Sequence, residues 1–174
     1  KYENKIVKKI NDFENCKKLL LPGVGAFSTA MGNLKKSNLL NILENKVINE
    51  KIPLLGICLG AQLLFEESSE GNKCKGLGWI PGKVIRFNHD LKIPQIGWNT
   101  VIPKHDHPIF HGIPNNSYFY FVHSYYMKPK LKSTIIATTS YGNNFASIVK
   151  KNSVWGVQFH PEKSQNVGLK LIQN

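Results

Sequence analysis

The sequence predicts an α/β fold in one domain over residues 1–174, with a mixed, mostly parallel central sheet flanked by helices and a strand-rich second half. Three observations carry this reading. In the first half, apolar runs end at glycine turns and are followed by segments with helical spacing, twice in succession. In the second half the apolar runs are shorter, mixed with polar residues and separated by turn residues, as in antiparallel pieces with one wet face. No internal repeat, low-complexity tract or linker divides the 174 residues, a length that buries a core without staples.

Taken in order, Lys18 to Leu21 reads as a strand that enters the glycine loop Pro22-Gly23-Val24-Gly25. From Ala26 to Glu50, the apolar positions Met31, Leu34, Leu39, Leu40, Leu43 and Val47 recur at amphipathic-helix spacing. Ile52 to Leu55 is the second strand, which leads through Gly56-Ile57-Cys58-Leu59-Gly60 into Ala61 to Glu67, a run of good helix formers. Beyond Gly71 the expected strands are 83–87, 99–102, 118–122, 134–139, 147–150 and 154–159, and helical character returns at 167–172.

A net charge of +12 invites a nucleic-acid reading. Arg86 is the only arginine and the lysines are spread along the whole chain, so a lysine-rich solvated surface is favoured and no nucleic acid is expected. No run reaches the roughly 18 apolar residues of a membrane span, and Lys1 to Lys5 lacks the apolar core of a signal peptide. A cytoplasmic protein is expected. Cys16, Cys58 and Cys74 match neither a disulfide framework nor a metal pair, which suits a reducing compartment. His105, Asp106, His107 and His111 fall in a Pro-rich, irregular stretch that reads as a solvated loop, so no metal or other cofactor is expected.

Gly56-Ile57-Cys58-Leu59-Gly60 is a glycine-flanked nucleophile turn between a strand and a helix. Cysteine there gains from the helix dipole, and the Leu59 N–H is placed to donate to an oxyanion. Read alone, Cys58 is equally a buried structural thiol beside a turn. Gln158-Phe159-His160-Pro161-Glu162 changes that balance: a thiol needs a base, which His160 supplies, and the base needs an acid to orient it, which Glu162 supplies. Their i, i+2 spacing across Pro161 is expected to place both side chains on one side of the chain as it leaves the strand.

Elbow and His-Pro-Glu together resemble the class I, triad-type glutamine amidotransferases. Within that family 21–27, 56–67, 97–99, 120–126 and 156–164 are similar to the HisH branch, the glutaminase subunits of imidazole glycerol phosphate synthase. The resemblance implies hydrolysis of L-glutamine to glutamate and ammonia, with ammonia passed to a HisF-type (β/α)8 barrel that makes imidazole glycerol phosphate and AICAR in histidine biosynthesis. It implies that Gln62, Glu70, His123, Ser124 and Tyr125 hold glutamine, the last three mainly through backbone groups and Glu70 through the α-ammonium. It further implies that a peptide flip at Gly23-Val24 presents the Val24 N–H to the oxyanion, and that Gly97-Trp98-Asn99 faces the barrel. Read without the family, that loop is equally a plain strand-to-helix turn, and a core aromatic is the competing, less favoured reading of Trp98.

Two departures stand out. The family opens with a strand and helix carrying a D-Y-x-x-G-N-like segment, so the domain over 1–174 is expected to lack its first strand and helix. Gln95 replaces the histidine common before Met-Gly-Trp-Asn. Segments 76–80 and 141–145 are similar to a paralogous branch that supplies ammonia for amidating surface sugars, which is the nearest alternative. A thiol peptidase or γ-glutamyl hydrolase on the same triad is the second.

Overall fold

The computed structural model describes residues 4–71 and 73–174. The expectation about the chain's start therefore lies partly outside the described residues, at Lys1 to Glu3. An irregular N-terminal segment is fixed by Asp12, whose carboxylate accepts from the Lys8 and Lys9 amides and pairs with Lys5 at 2.6 Å. Then come β1 (Leu19–Gly23), α1 (Phe27–Lys36), α2 (Leu40–Glu44) with a π-helical extension at Asn45–Asn49, β2 (Leu54–Cys58), α3 (Leu59–Leu63) and β3 (Phe65–Ser68). The second half supplies β4 (Cys74–Lys75), β5 (Ile80–Arg86), β6 (Gln95–Thr100), β7 (Ile102–Pro103), β8 (Tyr118–His123), β9 (Tyr125–Pro129), β10 (Ile135–Tyr141), β11 (Asn143–Lys151), β12 (Val154–Val157) and α4 (Gln165–Gln173).

The main sheet runs β1-β2-β12-β11-β9-β5-β3-β4, with β10 alongside β11 and β7 on β10. Parallel pairing is restricted to β1–β2, β2–β12 and β3–β5, and every other pairing is antiparallel. The mixed sheet is thus present, but among the described residues antiparallel pairings outnumber the parallel ones expected to dominate, because the strand-rich second half supplies most of the strands. Of the two apolar strands, β2 lies between β1 and β12 and is covered, whereas β1 ends the sheet and leaves Leu20 58% exposed, so the expectation of cover on both faces holds for β2 and is corrected for β1. One face packs Phe27, Met31, Leu64, Phe65 and Ile80; a second cluster gathers Phe119, Phe121, Phe145, Ile148 and Phe159. Among the described residues, no helix is long and apolar enough to cross a membrane.

The helix expected over 61–67 is corrected. It begins earlier, at Leu59, and stops at Leu63, and Phe65 to Ser68 is instead a strand paired with β5 and β4. Burial of Phe65 and register with Ile80 override the helix propensity of Leu64, Glu66 and Glu67. The helical structure expected over 26–50 is present as two helices, parted between α1 and α2 where Asn38 adopts a φ of 59°.

α3 is buried along its whole length and crosses close behind β1 and β2. A Cβ on Gly56 would stand 2.7 Å from Ala61 Cα, and one on Gly60 would fall inside the Leu21 carbonyl oxygen. Gly60→Ala is therefore expected to destabilise the fold by about 3 kcal/mol or more, because backbone rather than a flexible side chain must yield. Urea unfolding of the two proteins checks this; equal midpoints would contradict it.

Candidate active site

β2 ends at Cys58, whose φ of 52° and ψ of −112° lie outside the regions L-residues ordinarily occupy. Such strain costs on the order of 1–3 kcal/mol and persists only where the surroundings over-determine it. Here they do, since β2 is paired on both sides and α3 starts at the next residue. β12 lies parallel to β2 with Val157 opposite Ile57, so the chain beyond β12 runs on past Cys58. Register alone thus brings the Cys58 turn and the Gln158-to-Glu162 segment to one end of the sheet.

His160 is buried, and its Nδ1 donates to Glu162 Oε1 at 2.7 Å; Glu162 itself is 51% exposed. The pairing does not arise from strand alternation. Pro161 opens a 3-10 turn over Pro161–Lys163, and that turn carries Glu162 back to the imidazole. The His160 peptide is locked to β8: its N–H donates to Tyr120 O at 2.8 Å, its carbonyl accepts from Ser164 Oγ at 2.6 Å, and Ser164 Oγ accepts from Tyr120 N at 3.0 Å. With Nδ1–H committed to a carboxylate, Nε2 is the acceptor nitrogen, buried and without a partner.

The Cys58 thiol is 7% exposed. Burial pushes it up to about 11, with the Glu162 charge acting in the same direction, against the Leu59 N–H, the Gln158 amide and Lys163. Its Sγ donates to Val122 O at 3.9 Å and accepts from Gln158 Nε2 at 3.9 Å; no hydrogen bond joins it to His160. The resting group is a protonated thiol, and at the same end of the sheet the His160 Nε2 keeps its lone pair. That arrangement suits nucleophilic attack on an acyl carbon with proton transfer through imidazole.

The other expected residues divide. Gly23 lies opposite Cys58 in the β1–β2 register, and Leu59 follows it as the first residue of α3. Val24 stands 82% exposed in the loop between β1 and α1. Gln62 is buried and braces the site, its Nε2 donating to Tyr125 O at 2.8 Å and Gln158 Oε1 at 3.2 Å. His123 Nδ1 donates to the same Tyr125 carbonyl at 2.8 Å, and burial lowers this imidazole to about 4, leaving it neutral with Nε2 unpartnered. The Ser124 carbonyl accepts from Phe87 N. The Tyr125 and Ser124 carbonyls are therefore already engaged within the chain. Glu70 Oε2 accepts from Phe27 N at 2.7 Å.

Trp98 and Asn99, expected on one partner-facing surface, point to opposite faces of the β6–β8 ribbon. Trp98 is 47% exposed and sits opposite Tyr120, whereas the Asn99 amide donates to Ser140 O at 2.9 Å. Strand alternation makes this separation unavoidable. The His105 and His107 rings lie 5.9 Å apart, with His107 Nδ1 accepting from Ile109 N. Among the described residues no cluster of three or more His, Cys, Asp or Glu is placed to hold a metal.

Two contributors escape reasoning from sequence. Gln158, fully buried, links Cys58 to Gln62, and Ser164 fixes the His160 peptide. A glutamine between Val157 and Phe159 was the available signal, since a polar residue inside an apolar strand needs partners. The raised thiol gives an expected outcome. Alkylation of Cys58 in the isolated chain, followed by mass spectrometry, should rise about tenfold per unit from about pH 7 to about pH 10, whereas an ordinary thiol levels off near pH 9. A plateau below that point would show a thiolate already favoured at rest.

Comparison with known proteins agrees with the geometry. The family model described as glutamine amidotransferase class-I matches residues 1–174. Imidazole glycerol phosphate synthase subunit HisH of Methanocaldococcus jannaschii is 50% identical over 159 residues, covering 91% of this chain and 79% of that protein. Subunit HisH 1 of Campylobacter jejuni subsp. jejuni (strain 81-176) is 47% identical over 173 residues, covering 98% and 86%. A crystal structure of a glutamine amidotransferase superposes with a TM-score of 0.74 over 97% of this chain and 82% of its own, at 21% identity, which shows the shared fold. The chain belongs to the class I glutamine amidotransferases, and within them to the HisH subunits.

Proposed function

We propose that this chain is the glutaminase subunit of an imidazole glycerol phosphate synthase, hydrolysing L-glutamine to glutamate and ammonia with Cys58 as nucleophile, His160 as acid and base, and Glu162 as the group that orients His160. The observation that carries the assignment is the buried His160 Nε2, left free by the 2.7 Å bond from Nδ1 to Glu162, at the same end of the sheet as an elbow thiol. In the first step Nε2 takes the Cys58 proton and Sγ bonds to the side-chain amide carbon. The oxyanion is met by the Leu59 N–H and, once the Gly23-Val24 peptide turns, by the Val24 N–H. As the C–N bond breaks, His160 returns its proton to the departing nitrogen and ammonia leaves. Water deprotonated by His160 then attacks the thioester, the C–S bond breaks, and Cys58 recovers its proton.

The same reading gives the chain a partner. Ile96, Trp98 and Tyr118 are exposed on one face of the β6–β8 ribbon, whose opposite face buries Gln95, Phe119, Phe121 and His123. An aromatic patch of this kind is the composition of an interface anchor. It lies behind Val122, whose carbonyl meets Cys58 Sγ. We assign this face to a HisF-type (β/α)8 barrel that receives the ammonia and makes imidazole glycerol phosphate and AICAR in histidine biosynthesis. The cytoplasm is the compartment proposed, as suits the free thiols Cys16, Cys58 and Cys74. A thiol held near 11 and an oxyanion loop with Val24 turned outward favour low activity until the partner docks. An unformed hole forfeits about 3 kcal/mol.

Cys58→Ala is expected to lower ammonia release from glutamine by about 10⁴-fold or more while leaving the complex with the synthase subunit intact. Ammonia assays beside co-purification check both halves; retained turnover would remove Cys58 from the mechanism.

A further inference from the structure

Glu70 does something in this structure that binding a substrate does not require. Its Oε2 accepts the Phe27 amide at 2.7 Å, and Phe27 is the first residue of α1. The helix needs this bond, because Ala26 at its N-cap makes no side-chain cap. A carboxylate there also meets the positive end of the helix dipole. Glu70 is itself braced: its N–H donates to Ser68 Oγ at 3.1 Å, Ser68 is buried, and the Ser69 N–H donates to Val84 O at 2.9 Å. Oε1 makes no hydrogen bond to any described residue.

The loop that Glu70 pins is the oxyanion loop. Residues 24–26 join Gly23, held in register opposite Cys58, to Phe27, whose side chain is fully buried and whose amide Glu70 caps. Between those fixed ends Val24 is exposed and Gly25 has a φ of 93°. Movement at Val24 is therefore confined to a short span whose far end depends on one side chain. We propose that Glu70 is a positioning residue for the oxyanion loop, acting through the first amide of α1, and that its second oxygen, Oε1, lets the α-ammonium of a bound amino acid bear on the same carboxylate, so that substrate occupancy and loop geometry are coupled. This rests on the glutaminase reading of the site.

Two conservative variants separate the roles. Glu70→Gln keeps the length and an acceptor oxygen but loses the charge; Glu70→Asp keeps the charge but withdraws the acceptor by one methylene. In the complex with the synthase subunit, Glu70→Gln should raise KM for glutamine about tenfold with kcat within about twofold, whereas Glu70→Asp should lower kcat about tenfold. Amide hydrogen exchange at Phe27, measured on the full chain without substrate, should quicken about tenfold in Glu70→Asp and stay near wild type in Glu70→Gln. Equal loss of kcat in both variants, or unchanged kcat and Phe27 exchange in Glu70→Asp, overturns the proposal. If Glu70→Asp does not fold, Glu70→Gln decides: retained kcat with protected Phe27 supports the tether, and lost protection overturns it. A wild-type complex that releases no ammonia from glutamine overturns the glutaminase reading instead, an outcome told apart because the exchange measurement needs no turnover.

Discussion

Backbone meets backbone where the turn after β2 crosses behind β1, and the rest of the site follows from that contact. Gly60 lies against the Leu21 carbonyl and Gly56 against Ala61, so a side chain at either position would push α3 away from the sheet. With α3 held this close, Cys58 is left in a conformation an unsupported residue would not keep, and the Leu59 N–H reaches the sulfur. The same contact sets Gly23 beside the turn, since a Cβ there would meet Gly60 N at 3.0 Å and Leu59 Cβ at 3.1 Å. The Cys58 turn, the Leu59 N–H at its sulfur and the placing of Gly23 at the start of its loop are thus three consequences of one close crossing.

Electrostatics opposes what geometry prepares. Burial and the Glu162 charge favour the neutral thiol, and the Leu59 amide, the Gln158 amide and Lys163 only partly offset them. A thiolate at rest would be open to oxidation and alkylation, and a thiol raised to about 11 is protected from both. The scaffold around this pair is built from side-chain amides and backbone carbonyls: Gln62, Gln158 and His123 converge on Cys58 and the Tyr125 carbonyl, and each bond holds a wall of the site in place.

Much of this was legible in the sequence where the physics is local. Glycines flanking Cys58 signalled a tight strand-to-helix crossing, and the i, i+2 spacing of His160 and Glu162 signalled that the two side chains meet, although a 3-10 turn and not strand alternation brings them together. The second half gave β8 and β10 close to their true limits, whereas β5 begins three residues before the expected 83 and β11 four before the expected 147. Long-range register was hidden. Phe65 to Ser68 carries helix formers yet becomes a strand because Ile80 and Val84 arrive beside it. Asn99 sits next to Trp98 in the chain but faces the other way, held by Ser140 from another strand. Glu70 and Phe27 are far apart in sequence, so no local pattern could reveal their bond.

Covalent chemistry at Cys58 is the claim on which the account turns. Acid-quenching the complex during turnover of glutamine, then mapping peptides by mass spectrometry, tests it most directly. The account predicts a γ-glutamyl thioester on the Cys58 peptide that disappears when glutamine is exhausted and is never seen on Cys16 or Cys74. Ammonia released at full rate with Cys58 unmodified throughout would contradict it.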